Sequence, residues 1–75
     1  MLLYDPEDDE QLRSVTYLEP ERPSPKRRLE LEDQVREGVT GANFMLSSPV
    51  LWSFWDPQRG ELRVFCYVRR RQEAV

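Results

Sequence analysis

The longest apolar run of β-branched and aromatic residues lies in ELRVFCYVRR, residues 61–70, bounded by Gly60 and by arginines, and it predicts the clearest β-strand of the chain. Ahead of it lie two apolar segments, ANFMLSS (42–48) and VLWSFW (50–55), separated by Pro49. They read as two strands, or as one strand with a break. SVTYL (14–18) has the β-branched and aromatic content of a further short strand. The pattern changes in SPKRRLELEDQVREG (24–38). Ser24 can cap a helix, Pro25 suits its first position and Gly38 can close it, which predicts a helix over about 25–37. Its apolar stripe, Leu31, Val35 and Val39, is narrow, and RRLELE alternates as a strand would, so an all-β fold is the alternative. Three prolines in EPERPSP (19–25) make a stiff linker.

The expected fold is therefore α+β. It is a small single domain with an antiparallel meander over about 42–70, one short helix and a short N-terminal strand. Its expected organisation is an arm at 1–18, a linker at 19–25, and a helix-plus-hairpin core at 26–75.

Between the last two strands, DPQRG places Pro57 for a type I turn and Gly60 for a left-handed closing residue. Pairing Trp55 with Glu61 sets Phe54 against Leu62, Ser53 against Arg63 and Trp52 against Val64. One face then carries Val50, Trp52, Phe54, Leu62, Val64, Cys66 and Val68, as a core face would. The other carries Leu51, Ser53, Trp55, Glu61, Arg63, Phe65, Tyr67 and Arg69. Aromatic residues set among arginines are enriched at interface hot spots. Either the helix or the N-terminal segment covers this second face, or it meets a partner or a second copy of the chain.

Length sharpens that question. A chain of 75 residues forms one small domain, and its own core supplies only about 3–5 kcal/mol. No covalent staple adds to it, since Cys66 is the single cysteine. The leading MLLY is too short for a signal-peptide core, and no apolar run approaches the roughly 20 residues of a membrane span. These features predict an intracellular protein, cytoplasmic or nuclear, without a membrane partner. The net charge of −3 is unevenly spread, with −5 over residues 1–37 and +2 over 38–75. Ten of the eleven basic residues are arginine, which forms the bidentate and stacked contacts that suit interfaces.

Candidate chemistry is sparse. The chain has no histidine, so the commonest general base and metal ligand is missing, and one cysteine without histidine makes no Cys–His nucleophile. Glycines 38, 41 and 60 form no phosphate loop. Asp5, Glu7 and Asp9 alternate as at the start of a calcium loop, but Glu10 and Thr16 stand where that loop needs glycine and glutamate. No enzyme, cofactor, metal site or small-molecule substrate is predicted.

Three binding readings follow. The first is a protein-binding module, an accessory subunit or inhibitor of a larger complex, using Trp55, Arg63, Phe65, Tyr67 and Arg69. The second is a nucleic-acid binder in which Arg69, Arg70 and Arg71 form a basic track beside aromatic platforms, although an acidic chain argues against it. The third rests on SPKRRLEL (24–31). There Ser24-Pro25-x-Arg27 resembles a proline-directed kinase site, Arg27-x-Leu29-x-Leu31 resembles a cyclin-groove docking motif, and PKRR resembles a nuclear-import signal. Such a peptide must be extended and accessible, so this reading competes directly with the helix.

Overall fold

A computed structural model describes residues 10–41 and 43–71. The order of elements is β1 (Gln11–Leu18), α1 (Pro25–Val39), β2 (Phe44–Leu46), β3 (Trp52–Asp56) and β4 (Glu61–Arg70). The fold is α+β, one helix on an antiparallel four-stranded sheet, and the all-β alternative is not adopted.

The helix begins as its sequence directs. Ser24 keeps an extended backbone and its Oγ accepts the amide of Arg27 at 3.1 Å, satisfying a donor that the first turn leaves open. Gly38 does not end it. The helix continues to Val39, and the Thr40 hydroxyl donates to the carbonyls of Arg36 and Glu37 at 3.3 and 3.1 Å. That last turn brings Val39 into line with Leu31 and Val35, four residues apart on one stripe. The alternation of RRLELE is overridden because only the helix buries Leu31 and Val35 together.

β4 is the axis of the sheet. Along one side it pairs with all eight residues of β1, from Gln11 with Val68 to Leu18 with Glu61. The strand expected at 14–18 thus starts at Gln11, and this part of the N-terminal segment belongs to the sheet. The opposite side of β4 is shared: β3 pairs with its first half and β2 with its end. β2 and β3 do not pair with each other, so the chain departs from a simple meander. Pro49 lies in the step between them, where a proline carries no ladder bond.

The hairpin register differs by one residue from the expected one. Asp56 pairs with Glu61, Trp55 with Leu62, Phe54 with Arg63, Ser53 with Val64 and Trp52 with Phe65. The cause is Asp56, which acts as the last residue of β3. Its carboxylate accepts the amides of Gln58 and Arg59 at 2.9 and 3.3 Å, and its carbonyl accepts the amide of Gly60 at 2.9 Å. These bonds close a tight turn over residues 57–60, with Gly60 at a φ of 62°. A side chain there would also meet the Pro20 Cα at 3.3 Å. A one-residue slip turns every β3 side chain to the other face. Trp52 and Phe54 therefore leave the core face, and Ser53 and Trp55 join it.

The core lies entirely between the helix and one face of the sheet. It consists of Leu31, Val35, Leu51, Leu62, Val64, Cys66 and Val68, with Val15, Tyr17, Val39, Phe44, Leu46 and Trp55 packed around it. Leu51, expected on the second face, is buried; Val50, expected in the core, is exposed. Ser53 is tolerated inside because Arg28 Nε donates to its hydroxyl at 3.0 Å and that hydroxyl donates to Glu32 at 3.1 Å. The proline-rich segment is pinned to the hairpin. The Glu19 amide donates to the Gly60 carbonyl at 2.7 Å, and the Trp55 indole donates to the Glu19 carbonyl at 2.8 Å.

Candidate protein-interaction face

The strand pairing settles which side chains share the face turned away from the helix. β4 contributes Glu61, Arg63, Phe65, Tyr67 and Arg69; β1 contributes Leu12, Ser14, Thr16 and Leu18; β3 contributes Trp52, Phe54 and Asp56; β2 contributes Met45. The helix packs on the opposite face, so it does not cover this one, and β1 lies within the sheet rather than over it.

At the centre of the face, Trp52 stacks on its cross-strand partner Phe65, with ring centroids 5.7 Å apart and planes 14° from parallel. Its other neighbour is Tyr67, 5.6 Å away and tilted by 44°. Offset ring pairs of this kind add about 0.5–1.5 kcal/mol beyond the area they bury. They give the patch a fixed shape without hiding it. Trp52 remains 41% exposed, Phe54 62%, Leu12 53% and Leu18 79%. Large apolar side chains gathered on one sheet face are the feature that distinguishes an interaction surface from singly scattered exposed residues.

Polar groups are placed at the two ends. Near the hairpin, Asp56 and Glu61 lie opposite each other, with Arg63 reaching Glu61 at 3.9 Å and Arg59 reaching Asp56 at 3.9 Å. At the other end, half-buried Arg69 lies beside Met45. The patch thus has aromatic rings at its centre, a mixed-charge end and a basic end.

Of the residues the sequence assigned to partner binding, Arg63, Phe65, Tyr67 and Arg69 share this face. Trp55 does not. It is turned to the helix side, half-buried, with its indole N–H committed to the Glu19 carbonyl. Trp52 and Phe54 take its place, missed by one register step, and Met45 joins them through the β2–β4 pairing, which the hairpin register does not reach. The missed signal was Asp-Pro: aspartate suits the first position of a type I turn when proline holds the second, which fixes Asp56 as the strand's end.

The arginines 69–71 do not line up. Arg69 is on the open face, and Arg70 pairs with Phe44 on the helix side. Arg71 follows the strand, its amide donating to the Asn43 carbonyl at 2.7 Å and its Nε to the Gly41 carbonyl at 3.2 Å. The SPKRRLEL segment is helical, with Ser24 as its cap, Leu31 buried, Arg27 paired to Glu19 at 2.8 Å and Leu29 facing out. It is not extended as a docking peptide must be.

Among the described residues no three His, Cys, Asp or Glu side chains converge on a metal-sized site. The calcium-like residues Asp5, Glu7 and Asp9 lie outside the described residues. Cys66 is fully buried, and that burial pushes its thiol pKa up, with Arg13 across the strand pair pulling against it. A protonated, enclosed thiol is a small hydrophobe rather than a nucleophile. No helix among the described residues is long and apolar enough to cross a membrane.

Comparison with protein-family models, with curated proteins and with solved structures finds no match to this chain.

Proposed function

We propose that the chain is a non-enzymatic protein-binding module, an accessory subunit or inhibitor that lays its open sheet face on a larger protein in the cytoplasm or nucleus. One observation carries the reading: the helix covers one face of the sheet, while the other presents the ordered Trp52–Phe65–Tyr67 cluster to solvent. Rigid aromatic side chains bind at low entropic cost because they have little freedom left to lose. The chemistry of the face specifies its partner's surface: an apolar patch bordered by carboxylates that meet Arg63 and Arg69. Acidic residues between 5 and 10 supply long-range attraction to a basic region of the same partner and speed encounter. Binding that selects the folded state adds stability that a core of this size lacks.

Photocrosslinking in the producing cell tests this. A benzophenone side chain placed at Phe54 should yield one defined heteromeric adduct, which Trp52→Ser with Tyr67→Ser abolishes. The same probe at Gln34, on the exposed side of the helix, should yield none. Equal adducts from both positions, or none from Phe54, would overturn the proposal.

A further inference from the structure

The two outer edges of the sheet are finished differently. The bond from the Ser47 amide to the Tyr67 carbonyl shows that odd-numbered residues of β4 turn their backbone groups toward β2 and β3. In β3, Trp52, Phe54 and Asp56 therefore face β4, and Ser53 and Trp55 present their backbone outward. That edge is guarded. Arg28 Nη2 donates to the outward Ser53 carbonyl at 2.9 Å.

Among the described residues, no side chain covers the β1 edge in this way. The bond from the Glu19 amide to the Gly60 carbonyl sets its phase: Gln11, Arg13, Val15 and Tyr17 point their backbone groups at β4. Leu12, Ser14, Thr16 and Leu18 point theirs away, and no backbone bond from a described residue meets them. Natural sheets blunt free edges with proline, bulges, inward charges or very short strands. β1 pairs in an unbroken register over its eight residues and holds no proline; its one charge on the helix face, Arg13, stays exposed, held by Gln11 Oε1 at 2.9 Å and by the Phe44 ring, so it is not buried by an added strand.

We infer that this edge takes an added strand, and that the strand is β1 of a second copy, paired antiparallel about a two-fold axis at Val15. The sequence of the edge selects that occupant. A two-fold axis perpendicular to the sheet keeps like faces together, so the position numbers of facing residues must sum to an even number. The outward residues 12, 14, 16 and 18 are symmetric about 15. Centring there uses every outward backbone group and sets Leu12 against Leu18 and Ser14 against Thr16. The two leucines that the monomer leaves most exposed on β1 thus cover each other on the open face. On the helix face Arg13 meets Tyr17, and no like charges oppose. A foreign strand would satisfy the backbone equally but has no reason to match both leucines. The product is one continuous eight-stranded sheet with the two aromatic faces side by side. It does not depend on what those faces bind.

The test is the solution mass of the full chain by sedimentation and light scattering, from low micromolar to near-millimolar concentration. The wild type should pass from one chain mass to two. Thr16→Pro removes an outward donor while leaving the β1–β4 ladder intact, so it should stay monomeric with a native circular dichroism spectrum. Should that variant fail to fold, charge pairs decide the matter. Leu12→Glu with Leu18→Glu places like charges across the seam and should abolish the dimer; Leu12→Lys with Leu18→Glu places opposite charges there and should retain it. A wild type monomeric throughout, a dimer that survives Thr16→Pro, or two charge variants of equal mass would each overturn the inference.

Discussion

Leu29 and Leu31 stand two residues apart in the same helix, and truncating each to alanine should have very unequal consequences. Leu31 is 1% exposed and packs in the layer between helix and sheet; Leu29 is 62% exposed. Leu31→Ala removes a buried isobutyl group and leaves a cavity that a short helix pinned by Arg28 cannot collapse, at a cost of about 2–5 kcal/mol. Set against a total near 3–5 kcal/mol, that loss leaves much of the chain unfolded at room temperature. Leu29→Ala removes no packing and installs the best helix former, so its effect should stay within about 0.5 kcal/mol. Urea titration followed by far-ultraviolet circular dichroism measures both, with the wild type as reference and protein dilute enough to stay monomeric. Two equally mild variants would mean that residues 24–31 do not pack as a helix. The extended docking-peptide reading of Arg27, Leu29 and Leu31 would then regain its standing.

Arg28 joins the helix to β3 through two bonds to Ser53, so Arg28→Ala should cost about 1–2 kcal/mol, or roughly 5–15 °C in Tm. Arg28→Lys should not restore it, because one ammonium cannot reproduce the planar fork that reaches hydroxyl and carbonyl together; full rescue by lysine would refute that geometry. Burial raises the Cys66 pKa in the folded state. Its neutral thiol therefore costs nothing below the unfolded value of roughly 8.5, and stability should fall as pH rises beyond it, since only the unfolded chain ionises freely. Cys66→Ala should remove that slope in denaturation midpoints measured between pH 8 and pH 10 (about the range spanned by the unfolded thiol titration); an unchanged slope would assign it to other groups.

Much of this architecture is legible in the sequence because strong local signals agree with the global answer. β4 declares itself through its run of β-branched and aromatic residues, and the helix start through Ser24 and Pro25. Gly38 misleads because a glycine can end a helix only where the backbone turns left-handed, and here the Thr40 hydroxyl does the closing. The start of β1 is hidden for another reason. Gln11 and Arg13 have little strand propensity of their own, and β4 recruits them by pairing along its whole length. The face assignment is the most instructive case. Both registers of TrpSerPheTrp sort aromatics plausibly, and the choice falls to one carboxylate, Asp56, and to the willingness of Arg28 and Glu32 to satisfy an inward Ser53. That last condition couples residues more than twenty positions apart, which no window along the chain reveals.

The account rests on one face of the sheet being packed and the other open, and the two tryptophans report on them separately. Trp55→Phe leaves Trp52 as the only indole, and Trp52→Phe leaves Trp55. Acrylamide quenching and emission maxima of the two variants, recorded on dilute monomer, test the claim directly. Trp52 should emit further to the red and quench readily, while Trp55, bonded to Glu19 beside the helix, should emit to the blue and resist quenching. The reverse order would restore the other register. A shielded Trp52 in the monomer would show the face covered from within, leaving no surface for a partner.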